Sequence, residues 1–251
     1  MSALREFAAG GYAFIPGPFQ YSGGVVANAG FAIERVRFAS PVKLVAGFQR
    51  IAAFLDAAGR PLAALCACEL HSPAPFTEAG FKAFNEIYAG TLARWGIFEG
   101  GVNPVARSNT CPEIAPPPEP GFHAFSFTVD AGRAPRSFVV AGSGEAPEGA
   151  GDYRDRMIAP HDVSPAGLRA KAVWVLGEME RRLGLFGTSW AETTAVQAYT
   201  VHDLHPFLGD EIARRGAARH GLTWHFNRPP VRDLEFEMDC RSVGIERVLP
   251  V

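Results

Sequence analysis

The feature that constrains this chain most is a repetition. Residues 43–58, KLVAGFQRIAAFLDAA, carry apolar groups at helical spacing and stop at Gly59. Residues 167–183, GLRAKAVWVLGEMERRL, do the same and stop at Gly184. A short polar connection and an alternating strand follow each: ALCACELHS (64–72) and TAVQAYTVHD (194–203), with His71 and His202 at matching ends. A second helical stretch comes next, 76–96 in one half and 204–221 in the other. Each half then closes on a strand, FHAFSFTV (122–129) or LEFEMDCRSV (234–243). The turn-rich DAGRAPRS (130–137) divides the 251 residues almost equally. Two α+β units are expected, residues 1–130 and 131–251, each a mixed sheet backed by two helices.

The chain can fill two such cores, being 47% hydrophobic and only 20% charged. A formal net charge of −2 leaves no basic excess for nucleic acid or an anionic membrane surface. No run approaches the roughly 20 apolar residues of a spanning helix. The opening MSALREFAAGG lacks the basic-then-apolar layout of a signal peptide. Four cysteines without a regular framework fit a reducing cytoplasm.

Arg107, in NPVARS (103–108), stands between small residues ahead of a buried-looking strand. A guanidinium there costs desolvation unless an anion meets it, either a carboxylate of the protein or one of a ligand. In LEFEMD (234–239), period two places Glu235, Glu237 and Asp239 on one face. Such a face is either solvated or, turned into a cleft, holds carboxyls whose repulsion raises a pKa toward general acid–base use. Helix 76–96 buries a stripe of Phe81, Phe84, Ile87, Tyr88 and Leu92, with Asn85 beside it, either exposed or orienting a ligand. Ser143-Gly144 offers backbone N–H groups, or simply a turn. His202 and His205 lack the further ligands of a metal site, and no metal or cofactor is expected. Cys66 and Cys68, alternate residues of one strand, are expected on the same face as core. No G-x-S-x-G elbow, P-loop or dinucleotide fingerprint is present.

FNEIYAG (84–90), PVARS (104–108) and a closing strand resemble the Rid family, the YjgF-like reactive intermediate deaminases. GPFQYSGGVV (17–26) is similar to the family's N-terminal GPYSqAv, FVVAGSGE (138–145) to its V-Y-x-S-G-Q, and LEFEMD to its I-E-I-E-A-I. The likeness covers nearly the whole chain as two tandem copies. It implies chorismate-mutase-like domains, trimer-like packing in a homo-oligomer, and ligand clefts between adjacent domains. It also implies hydrolysis of enamines or imines to ketones and ammonia without metal or cofactor. The arginine would grip a substrate carboxylate, and a strand glutamate would help activate water.

The copies are unequal. The first keeps Arg107 and Asn85 but has FHAFSF where the pattern has acids; the second keeps Ser143, Gly144, Glu235 and Glu237 but lacks the arginine. Complementary losses suggest one composite site at a junction of the halves; independent decay, with the acids held in ion pairs, is the alternative. The resemblance thus implies Glu235 and Glu237 as catalytic residues, and Arg107, Asn85, Asn109, Ser143 and Gly144 as substrate-binding ones. The expected substrate is a small carboxylate-bearing enamine such as 2-aminomuconate or a substituted analogue, its second carboxylate meeting Arg35, Arg219 or Arg228. The alternative is a non-catalytic keto-acid binder of the same fold.

Overall fold

The computed structural model describes residues 4–147 and 153–250. Its strands are β1 (Arg5–Phe7), β2 (Tyr12–Ile15), β3 (Gly24–Ala27), β4 (Gly30–Lys43), β5 (Leu65–His71), β6 (Ala106–Pro112) and β7 (Gly121–Gly132). There follow β8 (Phe138–Gly144), β9 (Ala195–Tyr199), β10 (Thr223–His225), β11 (Asn227–Arg228), β12 (Glu237–Ser242) and β13 (Ile245–Leu249). The helices are α1 (Leu44–Ala57), α2 (Glu78–Arg94), α3 (Pro165–Leu185) and the one-turn α4 (His205–Phe207), which runs into a π-turn, Leu208–Ala213. None is long and apolar enough to cross a membrane.

Two mixed sheets lie face to face between two helical layers. One sheet runs β11-β6-β5-β7-β4-β13 and the other β1-β2-β3-β8-β12-β9-β10. Phe48, Ile51 and Leu55 of α1 and Phe84, Tyr88 and Leu92 of α2 pack on the outer face of the first. Leu168, Ala172, Val175, Met179 and Leu183 of α3 cover the second. Between the sheets lies a smaller apolar cluster that includes Tyr12, Phe14, Val25, Ile33 and Ala106. A polar layer continues it: Ser108 Oγ donates to Asp239 at 2.6 Å, and Arg35 holds Glu69 through two bonds of 2.6 and 2.7 Å. Burial works to raise the Glu69 pKa, and Arg35 overcomes it and holds the carboxylate ionised.

Both sheets draw strands from both sides of residue 130. β3 pairs with β8, so the N-terminal strands complete the sheet of the second half. β13 pairs with β4, and β11 with β6, so the second half returns two short strands to the first. This exchange places the end of β6 against β8, where Gly142 N–H donates to Ser108 Oγ at 3.1 Å.

Local chemistry explains the elements and the departures from the sequence expectation. Thr77 and Ser164 cap α2 and α3 by accepting from Gly80 and Gly167 N–H, and Pro165 opens α3 where its missing N–H costs nothing. α3 runs through Gly184 and ends before Gly187, whose φ of 66° supplies the left-handed turn. The helix expected over 204–221 shrinks to α4 and its π-turn, because Gly209, Gly216 and Gly221 weaken it. A register shift in β5 between Leu65 and Ala67 separates the two cysteines: Cys66 joins the layer between the sheets and Cys68 the helical side. They do not share a face.

Helix α2 is rotated from the expected stripe. Phe84, Asn85, Tyr88 and Leu92 are buried, whereas Ile87 is 64% exposed. At 100° per residue, Ile87 lies about 110° from the centre of the buried face, and Asn85 within about 50° of it. A helix that turns an asparagine in and an isoleucine out is obeying something other than apolar burial.

Candidate active site

What Asn85 meets is Arg107. The arginine lies on β6, is 3% exposed, and donates from Nη1 to Asn85 Oδ1 at 2.5 Å. The rings of Tyr88, Tyr21, Phe81 and Phe84 surround its guanidinium carbon, with centroids at 4.9, 5.2, 5.6 and 5.9 Å. Ring faces stabilise a cation without neutralising it. Burial lowers the Arg107 pKa, but a guanidinium stays charged in a protein. It forms no ion pair among the described residues, so the protein supplies rings and one amide where an anion is wanted.

The second half brings Glu237 to the same place. Glu237 opens β12, is 4% exposed, and is in register with Gly144 of β8 on one side and Tyr199 of β9 on the other. Its carboxyl lies over Gly142, where any Cβ would overlap Oε1. Burial pushes its pKa well above the usual carboxylate range, and the charges of Asp239 and Glu145 push the same way; Arg107 and Arg182 pull it down by less. Arg107 and Glu237 line one cavity of about 70 Å³ with Asn109, Gly142, Gly144 and Leu234. Tyr21, Phe81, Gly144, Val231 and Leu234 also line an outer cleft of about 550 Å³, so the small cavity is the floor of a larger one.

Asn109, two residues along β6, has its orientation fixed by Ser72 Oγ, which donates to Asn109 Oδ1 at 2.9 Å. Its Nδ2 is buried without a partner while the residue lines the cavity. A buried unpaired donor costs about 1–3 kcal/mol, a cost removed by an acceptor in the cavity.

Three expected site residues, Arg107, Asn109 and Glu237, thus line the floor, and Asn85 reaches it only through its bond to Arg107. Gly144 lines both floor and outer cleft, and Ser143 only the outer cleft. Glu235 does not reach either. Its carboxylate faces His202 Nε2 at 2.7 Å and Arg228 Nη1 at 3.6 Å. The period-two expectation fails there because β12 starts only at Glu237. Upstream, Glu145, paired with Lys171 at 3.2 Å, accepts the backbone N–H groups of Glu235 and Phe236 at 2.7 and 3.1 Å. Asp239 is also withdrawn, accepting from Ser108, Gln197 and Tyr199 between the sheets. Arg35 is bound to Glu69 and Glu246, Arg228 to Glu113, and Arg219 to the Ala191 carbonyl; none lines the cleft.

A model of the family described as 2-aminomuconate deaminase CnbZ matches residues 4–247. The chain belongs to the CnbZ family. A relative, the 2-amino-5-chloromuconate deaminase of Comamonas testosteroni, is 48% identical over 245 residues, covering 97% of this chain and 98% of the relative. Among solved structures, a chorismatase superposes with a TM-score of 0.52 at 11% identity, over 88% of this chain and 77% of that one. That likeness concerns the fold alone. TdcF of E. coli with bound serine covers 43% of this chain and 80% of its own, at 15% identity and a TM-score of 0.31.

Three residues of the candidate site are not expected there from the sequence: Tyr21, Phe81, which the sequence assigns to the buried stripe of α2, and Gly142. Tyr21 stands inside GPFQYSGG, the segment that carries the N-terminal likeness, and Phe81 precedes Asn85 by one helical turn. Gly142 directly precedes Ser143-Gly144, but nothing in the order of residues says that a carboxyl rests on it.

Proposed function

We propose that this chain is a cofactor-independent hydrolytic deaminase of 2-aminomuconate-type enamines, including chlorinated analogues. The observation that carries this reading is the pairing, in one cavity, of an arginine without an anion and a carboxyl biased toward its neutral form, one from each half of the chain. The C1 carboxylate of the substrate lies against the Arg107 fork, which matches it with two parallel hydrogen bonds, and Asn109 Nδ2 donates a third. The cavity of about 70 Å³ receives that carboxylate. The remaining chain extends into the outer cleft.

Neutral Glu237 gives its proton to the diene carbon skeleton, converting the enamine to an iminium whose C2 is electrophilic. The resulting carboxylate takes a proton from water as the water oxygen bonds to C2, giving a carbinolamine. Glu237 then returns that proton to nitrogen, and the C2–N bond breaks with its electron pair leaving on ammonia. The hydroxyl of C2 becomes the ketone and its proton restores Glu237. One water is consumed, one ammonia leaves, and no electron is transferred.

The test is ammonia release from freshly generated 2-aminomuconate and 2-amino-5-chloromuconate, with spontaneous decay subtracted. The native chain accelerates release from at least one, and Glu237→Gln lowers kcat by about 10²–10⁴, the usual contribution of a positioned acid–base group. Saturable binding of both compounds with no release above the blank would overturn the reading in favour of a binding protein.

A further inference from the structure

Glu237 shares its face of β12 with a second carboxyl that the deamination steps leave unused. Both stay in unbroken register with β9, Glu237 opposite Tyr199 and Asp239 opposite Gln197, while Met238 between them joins the apolar core under α3. Asp239 is 4% exposed and lies between the sheets. The Ser108 and Tyr199 hydroxyls both donate to its Oδ2, at 2.6 and 2.8 Å, and Gln197 Nε2 donates to Oδ1 at 2.9 Å. Each hydroxyl also accepts an N–H, Ser108 from Gly142 and Tyr199 from Gln197, which leaves its own proton for Asp239. His225 Nε2, 3.2 Å from Gln197 Oε1, fixes which way that amide points. Burial first and the Glu69 charge next raise the Asp239 pKa, and the Ser108 and Gln197 donors and Arg241 restrain the rise. With three protons aimed at it, the carboxyl has no acceptor for one of its own, and the 2.6 Å bond from Ser108 has the length of a hydroxyl on a charged oxygen. Asp239 is the anion.

The titratable groups that face Glu237 come from each element around it: Asp239 on its own strand, Glu145 just past β8, Arg107 and Cys111 on β6, Arg182 on α3 and Tyr199 on β9. Of these, Asp239 and Glu145 carry negative charge. Glu145 is matched by Lys171 at 3.2 Å, which offsets its field locally. Asp239 forms no ion pair among the described residues; its direct partners are neutral, and Arg241, two residues on, is bound to Glu246. We propose that Asp239 is a positioning residue for the deamination, a fixed negative charge that keeps the Glu237 proton in place until the substrate takes it. This inference rests on the reading of Glu237 as the acid. The same network also fixes the seat of that acid, because Ser108 ties Asp239 to the N–H of Gly142, the residue on which the Glu237 carboxyl rests. Two steps along a strand span about 6.6 Å. At that separation and an effective dielectric of about 20, one charge moves the titration of the other group by about one to two pH units.

The experiment reads the Glu237 titration first without turnover and then with it. Urea unfolding of the native chain, Glu237→Gln, Asp239→Asn and the double variant, from pH 5 to 9, gives the pH at which the stability gained by Glu237→Gln levels off in each background. That level-off marks the folded pKa of Glu237. It should fall about one to two pH units lower in the Asp239→Asn background. The pH profile of kcat/KM for ammonia release from 2-aminomuconate is the second readout, because it reports the acid of the free enzyme. Its alkaline limb should move down by the same amount in Asp239→Asn, whereas a merely structural loss would lower the rate alike at every pH. Tyr199→Phe removes one donor to Asp239 and keeps its carboxyl; it should move both readouts the same way by less, and it decides alone if Asp239→Asn does not fold. Asp130→Asn, at an exposed carboxylate on β7, should move neither. A level-off that stays in place or rises in the Asp239→Asn background overturns the proposal. If the level-off falls and the rate profile does not follow, the charge acts as described and the reading of Glu237 as the reacting acid is what fails.

Discussion

Replacing Glu237 by glutamine separates what this carboxyl does for the reaction from what it costs the fold. Glu237 is 4% exposed, and its pKa is raised by burial first and by Asp239 and Glu145 next. A carboxyl whose folded pKa lies above its unfolded value binds its proton more tightly in the native state. Its favourable contribution is therefore complete below about pH 4.5 and is lost as pH rises through the folded pKa. The loss runs at about 1.4 kcal/mol per pH unit across that interval. Glutamine has nearly the same shape and no titrating proton, so the variant escapes the loss, while groups that do not interact with Glu237 titrate alike in both proteins and cancel in the difference. Urea unfolding of both proteins at pH 5, 6, 7 and 8 is the assay. The stability of Glu237→Gln relative to native should climb with pH, at up to about 1.4 kcal/mol per unit, and level off above the folded pKa. A difference that is flat across the series, or that falls with pH, would refute the reasoning, because either means that the native fold does not hold this carboxyl neutral.

Gly142→Ala should fold but lose at least about a hundredfold in kcat/KM, since the added Cβ overlaps Glu237 Oε1 and moves the carboxyl on the scale of an ångström; native kinetics in this variant would mean the carboxyl does not act from that position. The stacked imidazoles of His71 and His123, 4.3 Å apart, have their pKa values lowered to about 3 and about 4, by burial first and, for His71, by the neighbouring imidazole. The unfolded chain therefore takes up protons below pH 6.5 that the native chain refuses, and stability falls as pH drops, by up to about 2 kcal/mol per histidine at pH 5. His71→Gln should flatten this acid slope in urea unfolding at pH 5 and 7, and an unchanged slope would contradict it.

Much of the architecture was legible because its signals are periodic. The helix stretches 43–58, 76–96 and 167–183 match α1, α2 and α3 to within two residues, since apolar spacing marks them locally. Arg107 and Asn85 stood out as residues that a core would reject. Other features depend on contacts far apart in the chain. That β3 joins β8 and β13 joins β4 is decided by edge pairing between the halves, and no local pattern encodes it. The choice between Glu235 and Glu237 turned on where β12 begins. That point is set by the Glu145 carboxylate 90 positions upstream of Glu235, capturing two backbone N–H groups. The separation of Cys66 from Cys68 turned on a single bulge, which alternation cannot announce.

The most direct test of the single composite site is a double-mutant cycle on kcat/KM with Arg107→Gln and Glu237→Gln, using ammonia release from 2-aminomuconate. If the two halves build one site, each single variant loses at least about a hundredfold, and the double variant loses far less than the product of the two losses, as residues acting as a unit do. If each half instead carried its own site, either single variant would retain about half of the native turnover, and that result would contradict the account.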